Sequence, residues 1–219
     1  MSHTIAIDGP AGSGKSTIAK RLAARLGFTH LDTGAMYRAI TLFCLQEGMD
    51  LNDETAVVES LDRIRLRVSP DAIVLNGTDV TEEIRSVAVN AHVSLVSSYA
   101  GVREHLVAMQ RRIASAQDSI LDGRDIGTVV LPQADLKIYL TASPEVRAKR
   151  RLHDEKNTSR QSYEEILKAI QERDLYDSNR AVSPLRPAED AVILDTSAMS
   201  LDEVTERIVE EFSHVSTLS

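Results

Sequence analysis

The sequence is poor in cysteine and has no long apolar run. One cysteine among 219 residues excludes an intrachain disulfide and a cysteine-based zinc site. The six histidines do not fall at metal-ligand spacing. No apolar run approaches the length that spans a bilayer, and the first residues lack the basic and then apolar pattern of a signal peptide. We therefore expect a cytoplasmic protein with no membrane partner.

Positive charge is also in deficit. The formal net charge is −8, whereas proteins that bind nucleic-acid backbones are ordinarily basic, so we expect no nucleic-acid partner. The deficit is uneven, because residues 181–219 carry a net charge of −6 and residues 1–180 only −2. Arginine makes up 19 of the 25 basic residues, and arginine binds phosphate and carboxylate groups with two parallel hydrogen bonds.

Short apolar runs alternate with helical periodicity along most of the chain, which predicts a parallel α/β sheet. The length fits one compact domain with an insertion. Alternating residues and turn signals between 63 and 80 predict a small antiparallel β insertion. Buried strands are predicted at residues 4–7, 28–31, 119–121, 136–140 and 192–194, and helices at 15–26, 34–46, 81–98, 101–117, from 144, at 162–179 and from 200.

The sharpest motif is G-P-A-G-S-G-K-S-T at residues 9–17, which lies between a predicted strand and a predicted helix. Its glycines let successive backbone N–H groups converge on phosphate oxygens at a helix N-terminus. Lys15 is expected to bridge the β- and γ-phosphates, and Ser16 to offer its hydroxyl to Mg²⁺. The residues predicted to bind ATP are Gly9, Pro10, Ala11, Gly12, Ser13, Gly14, Lys15, Ser16 and Thr17. A glycine-rich turn without a ligand is the alternative interpretation.

Two classes of nucleotide-binding protein are disfavoured by missing motifs. The chain has no Asn-Lys-x-Asp motif of the kind that reads guanine in GTPases. It also lacks the Leu-Ser-Gly-Gly-Gln signature of transporter ATPases. The length and the scattered arginines favour a small kinase whose acceptor carries its own anionic group.

Several arginines follow predicted strands, at the edge where open α/β sheets bind ligands. Arg38 and Arg124 belong to this group. The i, i+4, i+7 spacing of Arg173, Asp177 and Arg180 predicts that all three share one helix face. Three further arginines lie at 147, 150 and 151, before a polar segment at about 154–161. Exposed ion pairs are the alternative explanation for these arginines.

Asp122 ends an apolar strand, where a carboxylate can hold Mg²⁺ directly or through water. A turn cap at Gly123 explains the same residue equally well. Cys44 falls in an apolar helical pattern, so we interpret it as core packing and not as a nucleophile.

Five segments together resemble the bacterial cytidylate kinases. They are IDGPAGSGKS at 7–16, LDTGAMYR at 31–38, DGRDIGTVV at 122–130, ERD at 172–174 and DSNRAV at 177–182. The resemblance implies a three-layer P-loop kinase fold with a five-stranded parallel sheet, a small antiparallel β insertion in the region that binds the nucleoside monophosphate, and a short lid. It implies one kinase domain over 1–219, with a core of about 1–35, 101–145 and 181–219, an acceptor-binding region at about 36–100 and a lid at about 147–163.

The resemblance further implies that the chain transfers the γ-phosphoryl group of ATP to CMP or dCMP with Mg²⁺, as a monomer. Ser16 and Asp122 would hold the metal. The catalytic residues would be Lys15, Arg124, Arg147 and Arg151. The substrate-binding residues would be Arg38, Arg124 and Arg180 around the α-phosphate, Arg173 and Asp177 at the ribose, and Ser94, Arg103 and Asp125 at cytosine. Thr33, where some family members carry serine, would also bind the substrate.

Base selectivity has a simple chemical reason. A carboxylate accepts a hydrogen bond from the N4 amino group of cytosine, and a guanidinium donates to N3 or O2. Uracil carries an acceptor at position 4, which would face the Asp125 carboxylate unpaired.

Three other functions remain open from the sequence. The chain could phosphorylate another small acceptor, such as a different monophosphate or shikimate. It could be a nucleotide-dependent switch without turnover, or an ATPase that acts on nucleic acid.

Overall fold

A computed structural model describes residues 2–153 and 161–216 of the chain. The strands are β1 (Thr4–Asp8), β2 (Thr29–Asp32), β3 (Leu66–Val68), β4 (Ile73–Leu75), β5 (Thr78–Asp79), β6 (Ser119–Gly123), β7 (Leu136–Thr141) and β8 (Val192–Asp195). The helices are α1 (Lys15–Leu26), α2 (Thr33–Gln46), α3 (Glu54–Glu59), α4 (Val87–Val96), α5 (Ala100–Ala114), α6 (Pro144–Leu152), α7 (Tyr163–Asn179) and α8 (Leu201–Ser216).

The five predicted core strands form one parallel sheet in the order β2-β6-β1-β7-β8. Strand β1 lies at its centre, where Ile7 stands opposite Asp122 of β6 and Ile138 of β7. The order therefore reverses at β1, which is where open α/β sheets form a ligand crevice at the carboxyl ends of their strands. Asp8, Asp32 and Gly123 end three adjacent strands at that edge.

Alternate residues of β1 face two different apolar layers, because successive side chains of a strand point to opposite faces. Ile5 and Ile7 pack with α1 and α8, where Phe212 closes the layer. Ala6 faces the larger cluster built from α2, α4, α5 and the β insertion, which contains the buried Cys44. The three-layer arrangement and the core position of Cys44 are confirmed.

The β insertion is confirmed as an antiparallel sheet in the order β3-β4-β5. Asn76 and Gly77 form its tight turn with φ of 49° and 90°. The helix predicted at 81–98 is wrong at its first turns, since a separate 3₁₀ turn occupies Glu83–Arg85 and α4 begins only after Ser86. The Ser86 hydroxyl accepts from the Val89 amide, so this cap fixes the start of the helix.

Helix α3 and a turn directly after β6 have no counterpart in the sequence prediction. Helix α3 has only six residues, too few to show a helical period, and Asp53 caps it by accepting from the Ala56 amide. A π-helical turn spans Ile126–Val130 directly after β6. Its first amides bind a carboxylate from β1, so the turn depends on a contact that is distant in sequence.

Residues 154–160 of the predicted polar lid segment lie outside the described residues. Among the residues that the structure describes, no helix combines the length and the apolar character needed to cross a membrane.

Among the glycines of the loop at residues 9–17, Gly9 should tolerate substitution least. Its φ is +146°, and a Cβ there would lie 1.9 Å from the Leu140 carbonyl oxygen of β7. We expect Gly9→Ala to lower the free energy of unfolding by about 3 kcal/mol or more in urea melts, since neighbouring backbone must shift. Gly48→Ala is the control, because Gly48 also has positive φ (+65°) but nothing within 4 Å of the added carbon; it should cost about 1 kcal/mol. Equal losses would contradict this account.

Candidate active site

The glycine-rich loop at residues 9–17 turns from β1 into α1. Gly9, Gly12 and Gly14 all have positive φ, which lets the backbone curl around a central space. Gly14 caps α1 without a side chain, so the first amides of the helix open toward the loop. Such amides, together with the helix dipole, form an anion site.

Lys15 lies folded over this loop and is only 6% exposed. Its ammonium donates to the Pro10 carbonyl at 2.7 Å and to Ser13 Oγ at 3.3 Å. Burial and then the charge of Arg124 hold the pKa of Lys15 well below its usual range. A phosphate in the loop would supply the negative charge that this ammonium lacks.

Ser16 and Asp122 meet at the carboxyl edge of the sheet. Ser16 Oγ donates to one Asp122 carboxylate oxygen at 2.7 Å, and the other lies 2.6 Å from His30 Nε2. The Thr33 hydroxyl donates to the Asp122 backbone carbonyl at 2.7 Å, which fixes the start of α2 against β6. Asp122 is thus an interaction hub and not merely a turn cap.

The donor set at Ser16 and Asp122 fits Mg²⁺, which prefers hydroxyl, carboxylate and phosphate oxygens. The described residues contain no group of three or more histidine, cysteine or acidic side chains that could hold a metal by themselves. Magnesium ordinarily binds through one or two carboxylates together with substrate phosphates, so a single carboxylate beside a phosphate loop suits it.

Asp8 is a site residue that the sequence analysis missed. Its two carboxylate oxygens accept from the amides of Ile126 and Gly127 at 2.8 and 2.7 Å. Burial outweighs these hydrogen bonds and raises the pKa of Asp8 to about 6. An aspartate ending an apolar strand at the binding edge is the signal that could have found it.

Arg38, Arg124 and Arg173 surround one cleft at this edge. Burial is the main cause that lowers the pKa of Arg38 to about 10 and that of Arg173 to about 9, and the charge of Arg124 lowers both further. Asp177 lies 3.0 Å from Arg124 and 3.9 Å from Arg173, and Arg173 Nε has no hydrogen-bond partner within the part of the chain that the structure describes. The cations outnumber their nearby counter-charges, as an anion-binding cleft requires.

Arg38 reaches from α2 to α4. Its guanidinium donates to Asn90 of α4, and Asn90 in turn donates to the Arg85 carbonyl at 2.8 Å. Asn90 was not singled out in the sequence, since an asparagine in a helix carries no signal of its own.

A second cluster lies beside the arginine cleft. Arg103 and Asp125 are each 4% exposed and form a direct ion pair. Arg103 also donates to the Ser97 carbonyl at 3.2 Å, one turn of α4 beyond the half-buried Ser94. Arg180 approaches the other oxygen of Asp125 at 3.7 Å. A buried carboxylate beside guanidinium donors can read a flat ligand that offers both donors and acceptors.

The prediction that Arg180 shares a helix face with Arg173 and Asp177 is wrong. Helix α7 ends at Asn179, and Arg180 has an extended backbone with ψ of 143°. Its Nε donates to the carbonyl of Ser183, a residue with φ of +50°. The chain therefore leaves the helix one residue early and brings Arg180 to Asp125 from a loop.

The buried guanidinium of Arg147 hydrogen-bonds to three other segments of the protein in this conformation. It donates from Nε to the Ala142 carbonyl at 2.8 Å, from Nη1 to the Ala11 carbonyl at 3.0 Å and from Nη2 to Asp174 at 2.6 Å. Arg151 lies one turn further along α6, and its charge lowers the pKa values of both Arg38 and Arg173. Of the two arginines, Arg151 is the one whose field reaches the cleft residues.

A central parallel strand, a glycine loop leading into a helix, and cations around the same edge define the P-loop α/β kinase fold. A gluconokinase from Sinorhizobium meliloti 1021 matches with a TM-score of 0.53 and 15% identity, over 97% of this chain and 93% of that one. A shikimate kinase from Bacteroides thetaiotaomicron matches with a TM-score of 0.52 and 13% identity, over 96% and 98% of the two chains. At these identities the likeness shows the fold alone.

Sequence comparison identifies the family. The cytidylate kinase family model matches residues 5–214. The cytidylate kinase of Caldanaerobacter subterraneus is 51% identical over 211 residues, covering 96% of this chain and 94% of the relative. That of Nocardia farcinica is 50% identical over 217 residues, covering 96% and 92%. The chain belongs to the cytidylate kinase family.

Asp8 should give stability a distinctive pH dependence. Its folded pKa of about 6 exceeds the ordinary 3.8, so its proton stabilises the fold below about pH 4, and that contribution is lost as the pH rises through 6. Between pH 4 and 7 the parent should lose about 3 kcal/mol of unfolding free energy relative to Asp8→Asn, measured by urea melts.

Asp79→Asn provides the control with the opposite sign. Hydrogen bonds from Thr81 lower the pKa of this exposed carboxyl, so its stabilising contribution is lost as the pH falls. Parallel pH profiles for the parent and Asp8→Asn would contradict the raised pKa of Asp8.

Proposed function

We propose that the protein is a cytidylate kinase that transfers the γ-phosphoryl group of ATP to CMP or dCMP and releases ADP with CDP or dCDP. The observation that carries the proposal is the buried Arg103–Asp125 pair beside the arginine cleft. The carboxylate has lone pairs left for the N4 amino group of cytosine, and the guanidinium can donate to N3 or O2. The cleft supplies the charge that a nucleotide phosphate needs.

The ATP side of the reaction is assigned to residues 9–17. The loop amides and Lys15 would bind the phosphates, and Ser16 with Asp122 would hold Mg²⁺, which neutralises phosphate charge when bound. The attacking group is a phosphate oxygen that is already largely ionised at neutral pH, so no strong general base is needed. Catalysis then rests on alignment and on stabilising the transferring charge.

The acceptor side is assigned to the arginine cleft and its neighbours. In this proposal Arg38, Arg124 and Arg180 clamp the α-phosphate, while Arg173 and Asp177 meet the ribose. The residues nearest to the base would be Ser94, Arg103 and Asp125, with Thr33 at the start of α2. Arg151 would act on the transferring phosphoryl group, and Arg147 would support it by holding the phosphate loop at Ala11.

The same proposal assigns a role to each region of the chain. Residues of about 36–100 would bind the acceptor, and about 147–163 would cover ATP and exclude water. The segments of about 1–35, 101–145 and 181–219 would form the core of one kinase domain. We place the enzyme in pyrimidine nucleotide metabolism in the cytoplasm, where its nucleotide substrates are found, and infer that it acts as a monomer.

The direct test is ADP release across all common nucleoside monophosphates, with shikimate, RNA and DNA included. CMP and dCMP should give the highest kcat/KM. Lys15→Ala should lower turnover at least about a hundredfold, since it removes a charge aimed at the transferring group, while circular dichroism stays unchanged. Faster turnover of another acceptor, nucleic-acid stimulation, or ATP binding without acceptor-dependent turnover would each overturn the assignment.

Asp125 should control the choice between CMP and UMP. Asp125→Ala should narrow the ratio of the two kcat/KM values by roughly 10- to 100-fold, as expected for a charged hydrogen bond in a buried site. Asp125→Asn adds a sharper comparison, because its amide can donate to the uracil O4 and should favour UMP. The exposed Asp79→Ala should leave the ratio unchanged, and an unchanged ratio in Asp125→Ala would mean that cytosine is read elsewhere.

A further inference from the structure

Behind the Arg103–Asp125 pair lies a group of buried polar atoms that lack hydrogen-bond partners among the described residues. Gln110 is 0% exposed, and neither its amide oxygen nor its amide nitrogen meets hydrogen-bond geometry with another described residue. The same holds for the buried Tyr37 hydroxyl and Arg103 Nε. Buried unpaired polar groups destabilise a fold, so a group of them beside a binding site calls for a functional explanation.

Tyr37 physically links the other two residues of this group. Arg103 and Gln110 are seven residues apart in α5, which places them on one helix face about 10 Å apart along the axis. The Arg103 guanidinium carbon lies 5.5 Å from the centre of the Tyr37 ring, within cation–π range. Burial raises the pKa of Tyr37 to about 12, and the Gln110 side chain, which lies beside the hydroxyl at the other end of the ring, opposes this rise.

We propose that Gln110 and Tyr37 are positioning residues that set the selectivity for cytosine. The Gln110 amide holds the Tyr37 hydroxyl, directly or through one water molecule, and the Tyr37 ring holds the Arg103 guanidinium in line with Asp125. The inference rests on the proposed function and adds to it two residues that do not touch the substrate themselves.

A purely structural role makes a different prediction for Gln110. Leucine has nearly the same size, and replacing an unpaired buried amide with an apolar group is neutral or stabilising for a core. A glutamine kept only for packing would therefore be replaced by leucine without functional loss. Replacing a positioning residue would lower selectivity and also some stability, because leucine leaves the buried Tyr37 hydroxyl without its partner.

The experiment measures kcat and KM for CMP, UMP and ATP. Calorimetry without ATP gives the affinity for CMP, and a thermal melt gives the melting temperature. Gln110→Leu and Tyr37→Phe should each narrow the ratio of kcat/KM for CMP to kcat/KM for UMP about fivefold, as expected for an indirect hydrogen bond. Most of this change should be a higher KM for CMP. CMP affinity should fall equally, with the KM for ATP within about twofold and the melting temperature lower by a few degrees, because each variant leaves one buried polar group without its partner. Gln46→Leu, the same change at an exposed site in α2, should alter none of these values.

Double variants test whether Gln110 acts on selectivity through Tyr37 and Asp125. In an Asp125→Ala background Gln110→Leu should narrow the ratio no further, and Tyr37→Phe combined with Gln110→Leu should match either single variant. The inference would be overturned if both folded single variants kept the parent's ratio of kcat/KM for CMP to kcat/KM for UMP. Fully additive effects in the double variants, or a single variant that does not fold, would also overturn it. If the parent itself shows no preference for CMP, the proposed function fails first and this inference fails with it.

Discussion

Repulsion among buried guanidinium groups is the constraint around which the cleft is built. Burial is the main cause that lowers the pKa values of Arg38 and Arg173, the charge of Arg124 lowers both further, and the carboxylate of Asp177 compensates only part of the positive charge. Like charges gathered away from water are costly unless an opposite charge joins them. A phosphate supplies that charge only in the folded state, so the substrate and the fold stabilise each other.

The parallel sheet makes this concentration of charge possible, because it holds the opposing carboxylates on a rigid edge. Asp8 binds the amides of the π-helical turn, Asp32 caps α2, and Asp122 joins Ser16 to His30. Each acid ends or nearly ends a strand, and each fixes a different loop. Arg124 therefore directly follows a strand of this edge, and Arg38 lies in the helix that Asp32 caps.

The core of this arrangement was predictable from sequence, and its supporting contacts were not. Strand periodicity gives the five-stranded sheet, and the glycine motif gives the phosphate loop, because both signals are local. Helix α7 ends at Asn179 as predicted, but the backbone at Arg180 is extended and the Leu185 amide donates to the Asp177 carbonyl, so helical spacing does not give the position of Arg180. His30 and Gln110 look like ordinary core residues until the residues that surround them are known.

The guanidinium of Arg147 also has a mechanical consequence. Its donors join the loop carbonyl of Ala11, the Ala142 carbonyl at the end of β7, and Asp174 in α7, while the residue itself belongs to α6. The planar, buried guanidinium of Arg147 thus connects four segments of the chain. We therefore expect a tilt of the α6–α7 pair to move the Ala11 carbonyl, and with it the curl of the glycine loop that would surround a phosphate.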